Sequence, residues 1–226
     1  MCGRYLITSP LEAILEMFAV DPADRPNLEP RFNLAPTQQA PVVRRGDDGA
    51  RHLALLRWGL IPHWAKDVKI GARLINARAE TAATAPAFRE SARRRRCLVV
   101  ADGFFEWQKQ GKAKQPFLIR RRDNRPMAFA GLWSAWTDPQ GARLETFTII
   151  TTAADAMMAA IHDRMPLILP SAAWPAWLDP SPIDIATLGP ADGAEMTAVP
   201  ISTRVNSVKN DDAEVIVPLA EQPTLL

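Results

Sequence analysis

Seven short runs of strand-forming residues, at 40–45, 53–58, 97–101, 104–108, 116–121, 127–133 and 145–151, are spread along this chain, and no helix regularly separates one from the next. Gly, Asp or Pro clusters divide most of them. The missing β–α alternation argues against a doubly wound parallel sheet. The fold class expected is α+β, with mainly antiparallel strands in a curved or barrel-like core and helices at its periphery. Asp102-Gly103, between two apolar runs, predicts a hairpin turn. Ser9-Pro10-Leu11-Glu12 predicts a helix start, with Ser9 as cap, Pro10 at the first helical position and Glu12 closing a capping box. Leu11, Ile14, Leu15 and Phe18 supply the apolar face of that helix, which ends before Pro22. Segment 21–41, rich in Pro and Asp, reads as an irregular loop. Further helical pieces are expected near 86–94, 153–160, 171–178 and 183–188. No linker and no internal repeat divides the chain. One domain over 1–226 is expected, its core about 2–217 and its final dozen residues frayed.

With 226 residues, 47% of them hydrophobic, the chain can bury a sizeable core. A net charge of +2 says little about polyanions. The arginines are more informative, because a guanidinium fork bonds two phosphate oxygens at once. The runs Arg93–Arg96 and Arg120–Arg122 fit either that use or a solvated surface. No apolar stretch reaches the roughly 18 residues that a membrane span needs, so no membrane association is expected. The first residues lack the basic-then-apolar pattern of a secretory signal. Cys2 and Cys97 make no disulfide framework. His52, His63 and His162 are scattered, and no Cys/His pair has zinc-ligand spacing. There is no phosphate-binding glycine loop or dinucleotide fingerprint. The expectation is a cytoplasmic, monomeric protein with no cofactor and no metal.

The chain opens Met1-Cys2-Gly3-Arg4-Tyr5. A small second residue permits removal of the initiator Met, which would leave Cys2 with a free α-amine beside its thiol. The amine, with a reference pKa of about 8, is partly neutral near pH 7. The thiol becomes thiolate only above roughly pH 8.5 unless it is tuned. Such a 1,2-aminothiol captures aldehydes. The amine adds first and forms a reversible imine. The thiol then adds to the same carbon and closes a five-membered thiazolidine. The ring-opened sugar of an abasic site is an aldehyde of this kind. Cys2 alone is more simply read as an ordinary buried thiol, so the case for this chemistry depends on its neighbours.

Eight blocks occur in order between residues 2 and 210. The first four are Met1-Cys2-Gly3-Arg4-Tyr5, Arg31-Phe32-Asn33-Leu34-Ala35-Pro36, Trp58-Gly59-Leu60-Ile61-Pro62-His63-Trp64 and Ile75-Asn76-Ala77-Arg78-Ala79-Glu80-Thr81. They continue with Ala101-Asp102-Gly103-Phe104-Phe105-Glu106-Trp107, Ala130-Gly131-Leu132-Trp133, then Thr151 with Ile161-His162-Asp163-Arg164-Met165-Pro166, and Asn206-Ser207-Val208-Lys209-Asn210. Together they resemble the SOS-response-associated peptidase (SRAP) family. Phe32 and Phe105 stand where many relatives carry Tyr, which removes a hydroxyl at each place and keeps the ring.

The resemblance implies an abasic-site sensor that cross-links to single-stranded DNA, including single/double-strand junctions, through Cys2. It also implies reversal, an AP-lyase side activity and (auto)proteolytic removal of Met1. Cys2 would supply both nucleophiles. Glu106 would move protons near the Cys2 amine, His162 would be the second acid/base group, and Asn76 would hold the open sugar. Arg4, Asn33, Arg78, Thr151 and Arg164 would contact the DNA backbone. Trp64, Trp107 and Pro41 would stack on or wedge between bases. Strand alternation sends Glu106 to the face opposite Phe105 and Trp107, so the aromatic run does not itself bury the carboxyl. Two other functions remain compatible with the residues. One is an N-terminal-nucleophile amidohydrolase, in which Cys2 attacks a small amide. The other is a nucleic-acid-binding module without chemistry.

Overall fold

The computed structural model describes residues 2–189 and 195–219. In chain order the strands are β1 (Tyr5–Ile7), β2 (Arg31–Leu34), β3 (Gln39–Arg45), β4 (Arg51–Trp58), β5 (Asn76–Arg78), β6 (Arg96–Ala101), β7 (Gly103–Gln110), β8 (Ala113–Arg121), β9 (Met127–Thr137), β10 (Arg143–Ala153), β11 (Arg164–Pro166), β12 (Ile168–Leu169) and β13 (Met196–Pro200). The helices are short: α1 (Leu11–Phe18), α2 (Arg89–Arg94) and α3 (Trp174–Leu178).

All seven expected strand runs form, and five of them close on themselves. β10, β4, β3, β6 and β9 follow one another in that order, and β9 pairs back to β10. The junction of β4 with β10 is parallel, while the other pairings of the ring are antiparallel. Closure leaves no unpaired edge among these five strands. β5 and β11 flank the last residues of β10, β5 in parallel and β11 antiparallel. The result is an α+β fold with a barrel core.

A second, antiparallel sheet packs against the barrel in the order β13-β8-β7-β1-β2. Its two faces follow the two-residue alternation of a strand. Tyr5, Ile7, Phe104 and Ile119 join the main core. Leu6, Phe105 and Leu118 point the other way, into a smaller core completed by Ile201, Val205 and Val215. Those last residues come from the segment around the 3-10 turns Thr203–Asn206 and Ala213–Ile216. Part of the tail expected to fray is therefore ordered: Val215 is fully buried and Pro218 bridges Ile201. Residues 220–226 lie outside the described residues.

Several local expectations fail for one reason. Asp102-Gly103 is a corner and not a hairpin, since β6 pairs with β3 and β9 while β7 pairs with β1 and β8. The Asp102 carboxylate accepts bonds from the Thr8 and Ser9 amides at 2.5 and 2.7 Å, and from both hydroxyls at 3.1 and 2.7 Å. This takes Ser9 away from capping α1, whose N-cap is Pro10. Glu12 pairs with Arg25 and closes no capping box. Gly103 suits the corner because a Cβ there would lie 2.8 Å from Leu6 Cδ2 and 2.9 Å from the Ile119 carbonyl oxygen. Asp102→Ala leaves four donors without their acceptor and should lower the unfolding free energy by about 3 kcal/mol in urea denaturation. A loss below about 0.5 kcal/mol would show that the corner finds other acceptors.

Of the expected helical pieces, 86–94 yields α2 and 171–178 yields a 3-10 turn running into α3. The pieces at 153–160 and 183–188 shrink to the 3-10 turns Met158–Ala160 and Ile185–Thr187. Loop 21–41 contains β2 and the start of β3.

Candidate active site

Sheet register brings the first residues of the chain to Glu106. Tyr5 lies opposite Phe104 on β7, and the Phe105 amide donates to the Arg4 carbonyl at 3.0 Å. Continuing that antiparallel register sets Gly3 opposite Glu106. Glu106 shares its strand face with Phe104, so it points into the main core and is only 3% exposed. Burial pushes its pKa up, and the neighbouring amino terminus and His162 act in the opposite direction. A carboxyl held this way keeps its proton to higher pH than a free one, which suits proton transfer near neutrality.

Cys2 is completely buried, with its thiol 3.9 Å from the Arg4 carbonyl oxygen. Burial, reinforced by the Glu106 carboxylate, pushes the thiol pKa far above the usual thiol range. With Met1 attached the group is therefore a thiol and a poor nucleophile. Asn76, the first residue of β5, donates through Nδ2 to the Cys2 carbonyl at 2.8 Å. Its Oδ1 is buried and has no protein partner among the described residues, so an acceptor is available beside Cys2.

His162 follows the turn Met158–Ala160, and its amide donates to the Met158 carbonyl at 2.8 Å. Nδ1 lies 3.0 Å from the Arg164 amide and 2.9 Å from the Asp163 carboxylate. These contacts make opposite demands on Nδ1. The backbone N–H is a fixed donor and Asp163 is 87% exposed, so we assign Nδ1 as acceptor and the ring proton to Nε2. Gln108, two residues beyond Glu106 on β7, donates to the Ala160 carbonyl at 2.8 Å and ties that strand to the His162 turn. No motif pointed to Gln108. The one available signal was that it shares a strand face with Glu106.

The profile of the SOS response associated peptidase family matches residues 1–208. The chain belongs to that family. It is 42% identical over 223 residues to the abasic site processing protein YoqW of Bacillus subtilis, covering 96% of this chain and 99% of that one. It is 36% identical over 229 residues to the abasic site processing protein YedK of Escherichia coli, covering 97% and 100%. A protein of known structure from Bacteroides thetaiotaomicron superposes with a TM-score of 0.86 at 27% identity, covering 96% of this chain and all of that one.

In this member of the SOS response associated peptidase family, Cys2, Asn76, Glu106 and His162 converge around the chain start. The other expected residues divide into two groups. Arg78 is exposed and has no ion pair among the described residues, and Trp64 is 51% exposed. Trp107 is half-buried and donates to Asn206 Oδ1 at 2.8 Å. The rest hold the protein together. Arg4 donates to Asn33 Oδ1 at 2.7 Å and to the Val205 carbonyl at 2.8 Å. Asn33 is fully buried and donates to the carbonyls of Val205, Ser207 and Asn210. These two residues fasten the segment that covers the second sheet. Pro41 is buried within β3 and lines a crevice with Arg31, Gln39 and Leu55, so no wedge projects from it. Thr151 is buried beside Arg164, which is itself paired with Glu80. Glu80 lies inside the block Ile75–Thr81, but nothing in the sequence sets it apart there.

Proposed function

We propose that the protein captures abasic sites in single-stranded DNA, including those at single/double-strand junctions, as a thiazolidine formed by Cys2 after Met1 has been removed. The observation that carries this reading is the meeting of Cys2, Asn76, Glu106 and His162 at one place. The Cys2 backbone is held by Asn76, and a buried carboxyl of raised pKa lies beside it. The relatives' designation as abasic site processing proteins supports the same reading.

The chemistry divides among these groups. The Cys2 amine attacks the aldehyde carbon of the opened sugar. Glu106 gives a proton to the departing hydroxyl, water leaves and an imine forms. The thiol then adds to the imine carbon, and its proton passes to the nitrogen. Asn76, whose Oδ1 has no protein partner among the described residues, receives a sugar hydroxyl. His162, through Nε2, assists opening of the sugar and reversal of the adduct. Elimination from the imine gives the lyase side reaction. Met1 is removed by the protein's own machinery or by an aminopeptidase. Arg78 and the exposed Trp64 offer the strand a phosphate contact and a stacking face, the latter worth about 1–3 kcal/mol per base. A monomer acting on DNA in the cytoplasm, at the nucleoid in a bacterial cell, completes the reading.

The test compares abasic oligonucleotides as single strands and as duplexes. A stacked duplex hides the sugar, and extruding it costs a few kcal/mol. Mature protein should give adducts that survive denaturing gels on the single strand and few on the duplex. Equal yields, or active protein that still carries Met1 by amino-terminal sequencing, would refute the proposal.

A further inference from the structure

Asn76, Arg78 and Glu80 occupy alternate positions along and just beyond β5, while His162 and Arg164 alternate at the start of β11. The two rows lie on either side of β10 and meet at Thr151. Its carbonyl accepts from the Ala79 amide at 2.9 Å and from Arg164 Nη2 at 2.7 Å. There the Arg164 guanidinium crosses to Glu80, with Nη1 2.5 Å from Oε1 and Nη2 2.9 Å from Oε2. Arg164 is nearly covered and Glu80 is half exposed, with side-chain exposures of 14% and 48%. The pairing with Arg164 holds the Glu80 carboxyl below the usual carboxylate range.

We propose that Glu80 is a resident stand-in for a DNA phosphate, which makes it a specificity-determining residue for the capture reaction. This rests on the proposed function, because it places the path of the strand along these two rows. A carboxylate and a phosphodiester each present two acceptor oxygens to the same fork. The Thr151 carbonyl holds the guanidinium in place independently of Glu80, so Arg164 stays aimed when its partner is exchanged. The carboxylate side of the pair is open to solvent, where ion pairs exchange at little cost. The resident carboxylate also offsets positive charge along these rows, since it pairs with Arg164 and lies within electrostatic reach of Arg78. Intact strands are then gripped weakly, and Arg164 passes to a phosphate once the abasic sugar is anchored at Cys2.

The test uses mature full-length protein and an unmodified single-stranded oligonucleotide, with the dissociation constant read by fluorescence anisotropy across a potassium chloride series. Glu80→Gln should bind on the order of 5-fold more tightly at low salt. Its log–log salt slope should steepen by about 0.7, the value of one further phosphate contact on a single strand. Adding Arg164→Ala should abolish the gain. Glu80→Asp, which keeps the charge and shortens the reach, should fall between the parent and Glu80→Gln, and it serves if the amide variant does not fold. Unchanged or weaker binding by these variants, with the parent still forming adducts on an abasic oligonucleotide, would make Glu80 a support for Arg164 and overturn the inference. Failure of the parent to form adducts would instead sink the proposed function.

Discussion

Cys2→Ala should abolish the durable adduct and spare the imine. The variant keeps an α-amine at its mature amino terminus, so nitrogen can still attack the aldehyde. It has no second nucleophile to close a ring. Unreduced adduct should fall to background on a denaturing gel, whereas borohydride should still trap a cross-link. Some strand cleavage through the imine should persist. The fold should tolerate the change, because removing one buried sulfur costs on the order of 1 kcal/mol. The buried thiol is held protonated by its surroundings in the Met1-bearing chain. Its reactivity therefore depends on exposing the amine and admitting the sugar. Heat-stable adducts from Cys2→Ala without reduction would exclude a thiazolidine.

Glu106→Gln should slow capture by about 10²–10⁴-fold, the usual contribution of a positioned acid/base group. The same variant should be more stable than the parent near neutral pH. The sign follows from proton linkage. Burial raises the folded-state pKa of Glu106, so the folded protein binds more protons than the unfolded chain between the two pKa values. Stability then falls as pH rises from the unfolded value, about 4.3, through the folded one. Gln does not ionise and escapes this loss, and the advantage should vanish below the unfolded value. Urea titrations at two pH values beside single-turnover cross-linking rates would read both effects. A variant that is slower and also less stable at neutral pH would mean that Glu106 serves the fold first.

Much of this was legible in the sequence, and the parts that were not share a physical cause. The seven strand runs are long enough for alternation and turn residues to show, and all seven form strands. β5, β11 and β12, of two or three residues, hold too few positions to display a period. Barrel closure depends on β10 lying parallel to β4, which is far from it in the chain, and no local signal encodes such distant pairing. Asp102-Gly103 has the composition of a hairpin, but the Thr8 and Ser9 donors that make it a corner are over ninety residues away in the chain. Cys2, Asn76, Glu106 and His162 could be named because their chemistry is particular. The burial of Glu106 could not be, since alternation placed it opposite Phe105 and left open what covers each face. Both faces are covered, one by the barrel and the other by the segment that Arg4 and Asn33 fasten. That also explains why two residues read as DNA contacts are occupied within the protein.

Intact mass spectrometry of mature protein incubated with an abasic single-stranded oligonucleotide tests the central claim most directly. The imine step releases one water, and ring closure releases nothing further. The predicted product has the mass of the chain lacking Met1 plus the oligonucleotide, less one water. Borohydride treatment should leave that mass unchanged, because the closed ring has no C=N bond to reduce. A gain of two hydrogens on reduction, an adduct that retains Met1, or attachment mapped to Cys97 would contradict it.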